Sequence, residues 1–394
     1  MSSKPTAFYQ SVGDQLTHWD VDVEAATLTR RASITLPSNV QYVWAHPTRK
    51  TMTVSTSDAA SGNTPNPGKM HCLCAVRVDA NGALSLHGEA QPLPSRPIHH
   101  CMDRSGNFAL TAFNNPSNVT VHRINADGSV GAQVAQNVKV DTGIYAHQVV
   151  AAPSNRLVIF PARGNDGKAG KAEDPGAIKV YGFKDGQLTP SQSIDAVGKG
   201  GMDYRPRHVD FHPTQPWMYV NVESQNELHM HRIDGDSVVE KPLFVKTTLA
   251  AKHDPQFHQT NSAIHFHPNG RFLYIANRAD STADFNGKKV FTGGENSIAV
   301  FAIDQTTGEP TRIQSVDPLT HHVRTLGIDP SGRLLVSANI RDMWVRDGDN
   351  VRAAPTALTV FRIGDDGKLT FARKYDIESG GKLQWWAGMM GLPA

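Results

Sequence analysis

Apolar and polar residues alternate along most of this chain in short runs broken by Gly, Asn, Asp and Pro, the pattern of half-buried β-strands joined by tight turns. The runs fall into one ungapped frame that recurs six times: QYVWAHPTRKTMTVSTS (41–57), IHHCMDRSGNFALTAFN (98–114), HQVVAAPSNRLVIFPAR (147–163), RHVDFHPTQPWMYVNVE (207–223), SAIHFHPNGRFLYIANR (262–278) and RTLGIDPSGRLLVSANI (324–340). Each copy predicts a strand, a polar turn and a second strand. Behind each copy comes another alternating pair with a turn such as Asn-Gly or Asp-Gly, as in VTVHRINADGSV (119–130) and LTVFRIGDDGKL (358–369). Such turns need positive φ, which these residues adopt readily.

The anchor residues of the frame, His46, Asp103, Ala152, His212, His267 and Asp329, recur at unequal intervals of roughly 50 to 60 residues. Uneven spacing suits blades joined by variable loops better than a solenoid, so the expected fold is all-β, a β-propeller. A seventh outer pair, LTHWDVDVEAATLTRRASI (16–34), has no inner strand before it. The C-terminal stretch, roughly 382–391, is expected to supply one and to close a seven-bladed ring without exposed edges. Residues 1–394 then form a single domain, with extra loops around 163–176, 279–295 and 341–355.

Composition narrows the function. The 394 residues carry 39 Lys+Arg against 37 Asp+Glu, a net charge of +2, with no basic run, which argues against a nucleic-acid partner. No window approaches the ~18 apolar residues of a membrane span, and the N-terminus lacks a secretory core. Three cysteines, Cys72, Cys74 and Cys101, set no disulfide framework, so a cytoplasmic protein is expected. A propeller closes its own edges, which makes a monomer the default. No HExxH, paired CxxC, acidic calcium loop or glycine-rich phosphate loop occurs, so no metal and no cofactor is expected. The anchor histidines read as turn and packing residues, and the Trp385-Trp386 pair as packing of the closing strand.

Function in a propeller usually sits at one mouth of the central channel. The start of the first strand and the end of the second lie at the same end of each blade. Five positions before the anchor stand Gln41, Ile98, His147, Arg207, Ser262 and Arg324; eleven after it stand Ser57, Asn114, Arg163, Glu223, Arg278 and Ile340. Strand ends buried only for packing would favour small or β-branched residues. Three arginines, a glutamate and a histidine fall instead in the third to fifth copies, with Arg324 in the sixth, and the adjacent column adds His99 and His208.

The run Pro206-Arg207-His208 to His212-Pro213, with Asn221-Val222-Glu223, and the run from Ile264-His265 to Asn277-Arg278 resemble the bacterial 6-phosphogluconolactonase family of seven-bladed propellers; Pro97-Ile98-His99 is similar to its second-blade entry. The similarity covers roughly residues 10–390. It implies a lactonase of carbohydrate metabolism acting on a small anionic lactone. The related fungal carboxy-muconate lactonizing enzyme implies catalytic roles for His147, Arg207, Glu223 and Arg278; of the other residues in the mouth columns, His99, His208, Arg324, Asn114 and Arg163 are expected to bind substrate. Arg205 stands where the lactonases have glycine, which puts another cation near the mouth. A lactonizing cycloisomerase or a non-enzymatic binding propeller remain alternatives, the latter using Trp344 or the terminal Trp pair as a contact patch.

Overall fold

The structure, a computed structural model, describes residues 6–59 and 66–392, and every regular element among them is a strand. Six antiparallel sheets follow one another along the chain, each ordered as its strands occur. Their innermost strands are Val40–Ala45, Pro97–Met102, Val150–Ala151, Pro206–Phe211, Gln259–Phe266 and Val323–Ile328; these begin blades 1 to 6. In the seventh sheet Ala387–Gly391 pairs with Thr6–Val12, followed outward by Gln15–Asp22 and Thr27–Thr35. The N-terminus thus supplies three strands, one more than the alternation from residue 16 marks.

Burial peaks in the second strands and falls toward the rim. The second strands Thr51–Ser57, Leu157–Ala162 and Leu334–Asn339 are buried at every position, whereas the outer strand Leu84–Pro92 is mostly exposed. Strands wedged between two neighbouring sheets bury both faces, so they are apolar or small throughout. The hydrophobic clusters accordingly run between blades: Leu110 and Val121 of blade 2 pack with Val158 and Phe160 of blade 3. Ala7, Tyr9 and Leu16 pack with Val54 and Val76, joining blade 7 to blade 1.

Three of the anchor residues fasten their blade to the next. His267 accepts the Asn269 amide at Nδ1 (3.1 Å) and donates from Nε2 to the Gly332 carbonyl of blade 6 (2.8 Å). His46 does the same toward Gly106 of blade 2, at 3.0 Å. Asp103 uses its carboxylate to cap its own turn and to accept from Asn155 of blade 3 (2.9 Å). The glycine is required because the ring of the preceding blade leaves no room: a Cβ on Gly270, at φ +73°, would stand 2.6 Å from Cε1 and Nε2 of His212. Gly270→Ala is therefore expected to cost about 1–3 kcal/mol and to lower the thermal melting midpoint. Gly287→Ala, at φ +71° with open space around it, carries only the backbone strain and should lower it less.

Two of the expected loops are ordered hairpins. Ser281–Phe285 with Lys288–Gly293, and Met343–Asp347 with Asn350–Ala354, join through one parallel bridge, Val290 to Trp344, into an additional four-stranded sheet. The segment 163–176 holds only isolated bridges, Asn165 with Asp174 and Lys168 with Lys171. No helix among the described residues is long and apolar enough to cross a membrane.

Candidate active site

Bulges decide which side chains reach the channel. In blades 1, 2, 4, 5 and 6 the ladder between first and second strands shifts register at Gln41, Ile98, Arg207, Ser262–Ala263 and Arg324. An extra residue there breaks the two-residue alternation and turns adjacent side chains toward one side. In blade 3 the innermost strand is reduced to two residues, and His147 lies ahead of it, its amide held by the Pro161 carbonyl at 2.8 Å.

These segments surround a cavity of about 470 Å³ whose lining comes from blades 2 to 6 and from Trp385, just before the closing strand. Its wall is completed by Asn165, Asp166, Gly167, Lys168 and Lys171 of the segment 163–176. A cavity of that size suits one small ligand.

Glu223 is the hub of the wall. Its carboxylate receives Arg163 Nε, Arg278 Nη2 at 2.6 Å and, in ionic contact, Arg207 Nε at 3.1 Å. Burial by itself opposes the charged carboxylate, but the three guanidinium groups outweigh it and hold the acid well below the usual carboxylate range. Arg163 also binds Asp166 (2.7 Å), and Arg278 reaches Thr260 Oγ1 (3.1 Å) and His322 Nε2 (3.2 Å). Asp280 holds both His322 (3.2 Å) and the cavity-lining His258 (2.7 Å). Burial lowers His322 to about 4, and the bond to Asp280 raises His258.

A run of histidine rings leads away from the cavity. His147 lines the cavity, lies 6.1 Å from the Tyr145 ring and meets His208 edge-on at 5.1 Å. His208 meets His99 at 5.5 Å, and His99 packs on Tyr42 at 3.9 Å. Burial, then the charge of Arg207, keeps His147 and His208 well below the ordinary histidine value; burial and the neighbouring His100 do so for His99. All three rings are neutral at neutral pH. Nδ1 of His147 has no hydrogen-bond partner among the described residues.

The nine residues singled out by sequence therefore separate. His147, Glu223, Arg278, Arg163 and Arg324 share the cavity wall. His99 and His208 lie below it, away from direct contact with its contents. Arg207, 1% exposed, is under Glu223 with its Nη1 on the Ser262 carbonyl, so it supports the carboxylate and does not face a ligand. Asn114 does not line the cavity; it closes a hairpin with Ser117. Arg205 is not a free cation of the mouth either. It is buried and engaged with Asp166 (2.9 Å) and Glu173, fastening the segment 163–176 against the cavity. Trp385 departs from its expected packing role and faces the cavity, whereas Trp386 packs between blades 7 and 1. Arg96, one residue ahead of blade 2, joins the wall unmarked by the repeat columns, which begin at Ile98. Its signal was a cation immediately before Pro97-Ile98-His99. Among the described residues no group of three or more His, Cys, Asp or Glu could hold a metal ion.

The sequence matches the family "Lactonase, 7-bladed beta-propeller" over residues 6–346. The chain belongs to that lactonase family. It is 30% identical over 271 residues to the 6-phosphogluconolactonase of Bacillus subtilis (strain 168), covering 68% of this chain and 70% of the relative. It is 25% identical over 393 residues to the 6-phosphogluconolactonase of Yersinia pestis (strain Pestoides F), covering 98% of each. The Pseudomonas aeruginosa periplasmic gluconolactonase superposes with a TM-score of 0.72 over 98% of this chain and 99% of that one at 16% identity, a likeness of fold.

Proposed function

We propose that this lactonase-family propeller hydrolyses a small, sugar-derived anionic lactone at the cavity beside His147, in the manner its 6-phosphogluconolactonase relatives are named for. The observation that carries the reading is a neutral, unpartnered imidazole on the wall of a small cavity crowded with guanidinium groups. Lactone opening needs a base for water and a cationic surround for the oxygen that gains charge.

In the proposed step a water oxygen attacks the lactone carbonyl carbon while His147 takes the water proton. The carbonyl oxygen becomes an oxyanion, facing Arg278, whose orientation is fixed by Glu223 and Thr260. As the intermediate collapses, the ring C–O bond breaks and the departing alkoxide takes the proton from His147, leaving a hydroxy acid. Burial, and after it the nearby arginines, make the His147 imidazolium a strong acid, which favours this second transfer. Glu223 is fully ionised and strongly paired, so it orients arginines and is a poor base.

The pH profile of kcat/KM carries the sign of this environment. A depressed imidazole stays neutral as pH falls through 6.5 and protonates only further down. Activity is therefore expected to persist below pH 6, with its acid limb lying well under the ordinary histidine value. An acid limb centred at 6.5 or above would assign the base elsewhere. The chemistry is proposed to need no metal, so dialysis against EDTA should leave kcat/KM unchanged.

A further inference from the structure

The arginines that line the cavity fall into two sets. Arg163 and Arg278 are tied to Glu223. Arg96 and Arg324 also line the cavity, but among the described residues neither guanidinium has a hydrogen bond or a carboxylate partner. Both lie instead over the Trp385 ring, with guanidinium carbons 5.1 Å and 4.3 Å from its centroid. Cation–π contact fixes a guanidinium in place without neutralising it or occupying its N–H groups. Buried Nε of Arg96 has no acceptor, and Arg324 sits in a ladder bulge that faces it inward. Desolvation, then the fields of Arg207, Arg278 and Arg96, act against the charge on Arg324. Glu223 favours that charge less than these oppose it, and gathering like charges with no carboxylate in contact disfavours the empty site and favours a bound anion.

We propose that Arg96 and Arg324, held on Trp385, form an anion subsite that receives the phosphate monoester or carboxylate of the substrate, apart from the arginines that Glu223 engages. The inference rests on the lactonase reading for the identity of that substrate. A forked guanidinium pair accepts either tetrahedral or planar oxyanions. Lys168, which also lines the cavity, adds charge on the side of the segment 163–176. The carbonyl end of the ligand then lies toward His147 and its charged end toward Trp385, so a single orientation is selected.

The test compares kcat/KM for a phosphorylated aldonolactone, its unphosphorylated counterpart and a carboxylate-bearing lactone, in wild type, Arg96→Gln and Arg324→Gln. Calorimetry with inorganic phosphate runs alongside on the same proteins, with melting curves to verify folding. Wild type is expected to prefer a charged lactone, and each variant to lose between about 10-fold and 100-fold of that preference, mainly through KM; Arg324→Lys should restore it only in part. Which charged lactone is favoured separates phosphate from carboxylate recognition. Unaltered preference in folded variants overturns the subsite while the lactonase reading stands. If wild type opens no lactone, that reading fails, and the subsite is then decided by phosphate alone: binding lost in both variants supports it, and equal or absent binding in all three proteins overturns it.

Discussion

Glu223→Gln is expected to lower kcat/KM for lactone hydrolysis by about 10²–10³-fold, the loss typical of displacing a donor that stabilises an oxyanion. Glutamine keeps the size of the side chain and removes the charge on which Arg163, Arg278 and Arg207 converge. Arg207 and Arg278 would then face each other without a counter-charge at a buried position, Arg163 would keep only Asp166, and Arg278 would lose the partner that sets its direction. Breaking a buried ion pair from one side costs about 3–5 kcal/mol, so the melting midpoint should fall with the activity. Glu223→Asp, which keeps the charge on a shorter stem, is expected to fall between the two. Steady-state kinetics and thermal melts of the three proteins check this; a glutamine variant as active and as stable as wild type would remove Glu223 from the account.

His147→Gln is expected to act differently, reducing kcat by about 10²–10⁴-fold with little change in melting. The ring packs against Tyr145 and His208 but makes no side-chain hydrogen bond among the described residues, so its removal leaves no network broken. Glutamine can still order a water and cannot accept its proton at the required rate. Loss confined to KM would instead make His147 a binding residue.

Much of this geometry was legible in the repeat frame, because antiparallel strands put the beginning of one and the end of the next at one mouth. Counting along the frame brings His147, Arg163, Glu223, Arg278 and Arg324 together without any coordinates. It misplaces Arg207, which shares its bulge with Arg324 and Ile98 but is buried against Glu223 and the Ser262 carbonyl of the next blade, contacts that a count along the frame does not carry. Arg96 and Trp385 lie outside the frame, on connecting segments just ahead of the innermost strands of blades 2 and 7. The engagement of Arg205 was hidden for a similar reason: its partners, Asp166 and Glu173, belong to an insertion with no counterpart in the other blades. The hairpin at 281–293 was more readable than a loop, since its Asn286-Gly287 turn adopts positive φ at both residues, the geometry that Asn-Gly between alternating runs favours.

The central claim is that the neutral imidazole of His147 drives lactone opening at this cavity. Its most direct test is proton release in weak buffer near pH 6.8 from 6-phosphogluconolactone, an unphosphorylated aldonolactone and a muconolactone, with wild type and His147→Gln side by side. The account predicts acceleration over spontaneous hydrolysis for at least the charged aldonolactone, abolished or nearly so in the variant. A wild-type protein that accelerates none of the three, or a variant that matches it, would contradict the claim.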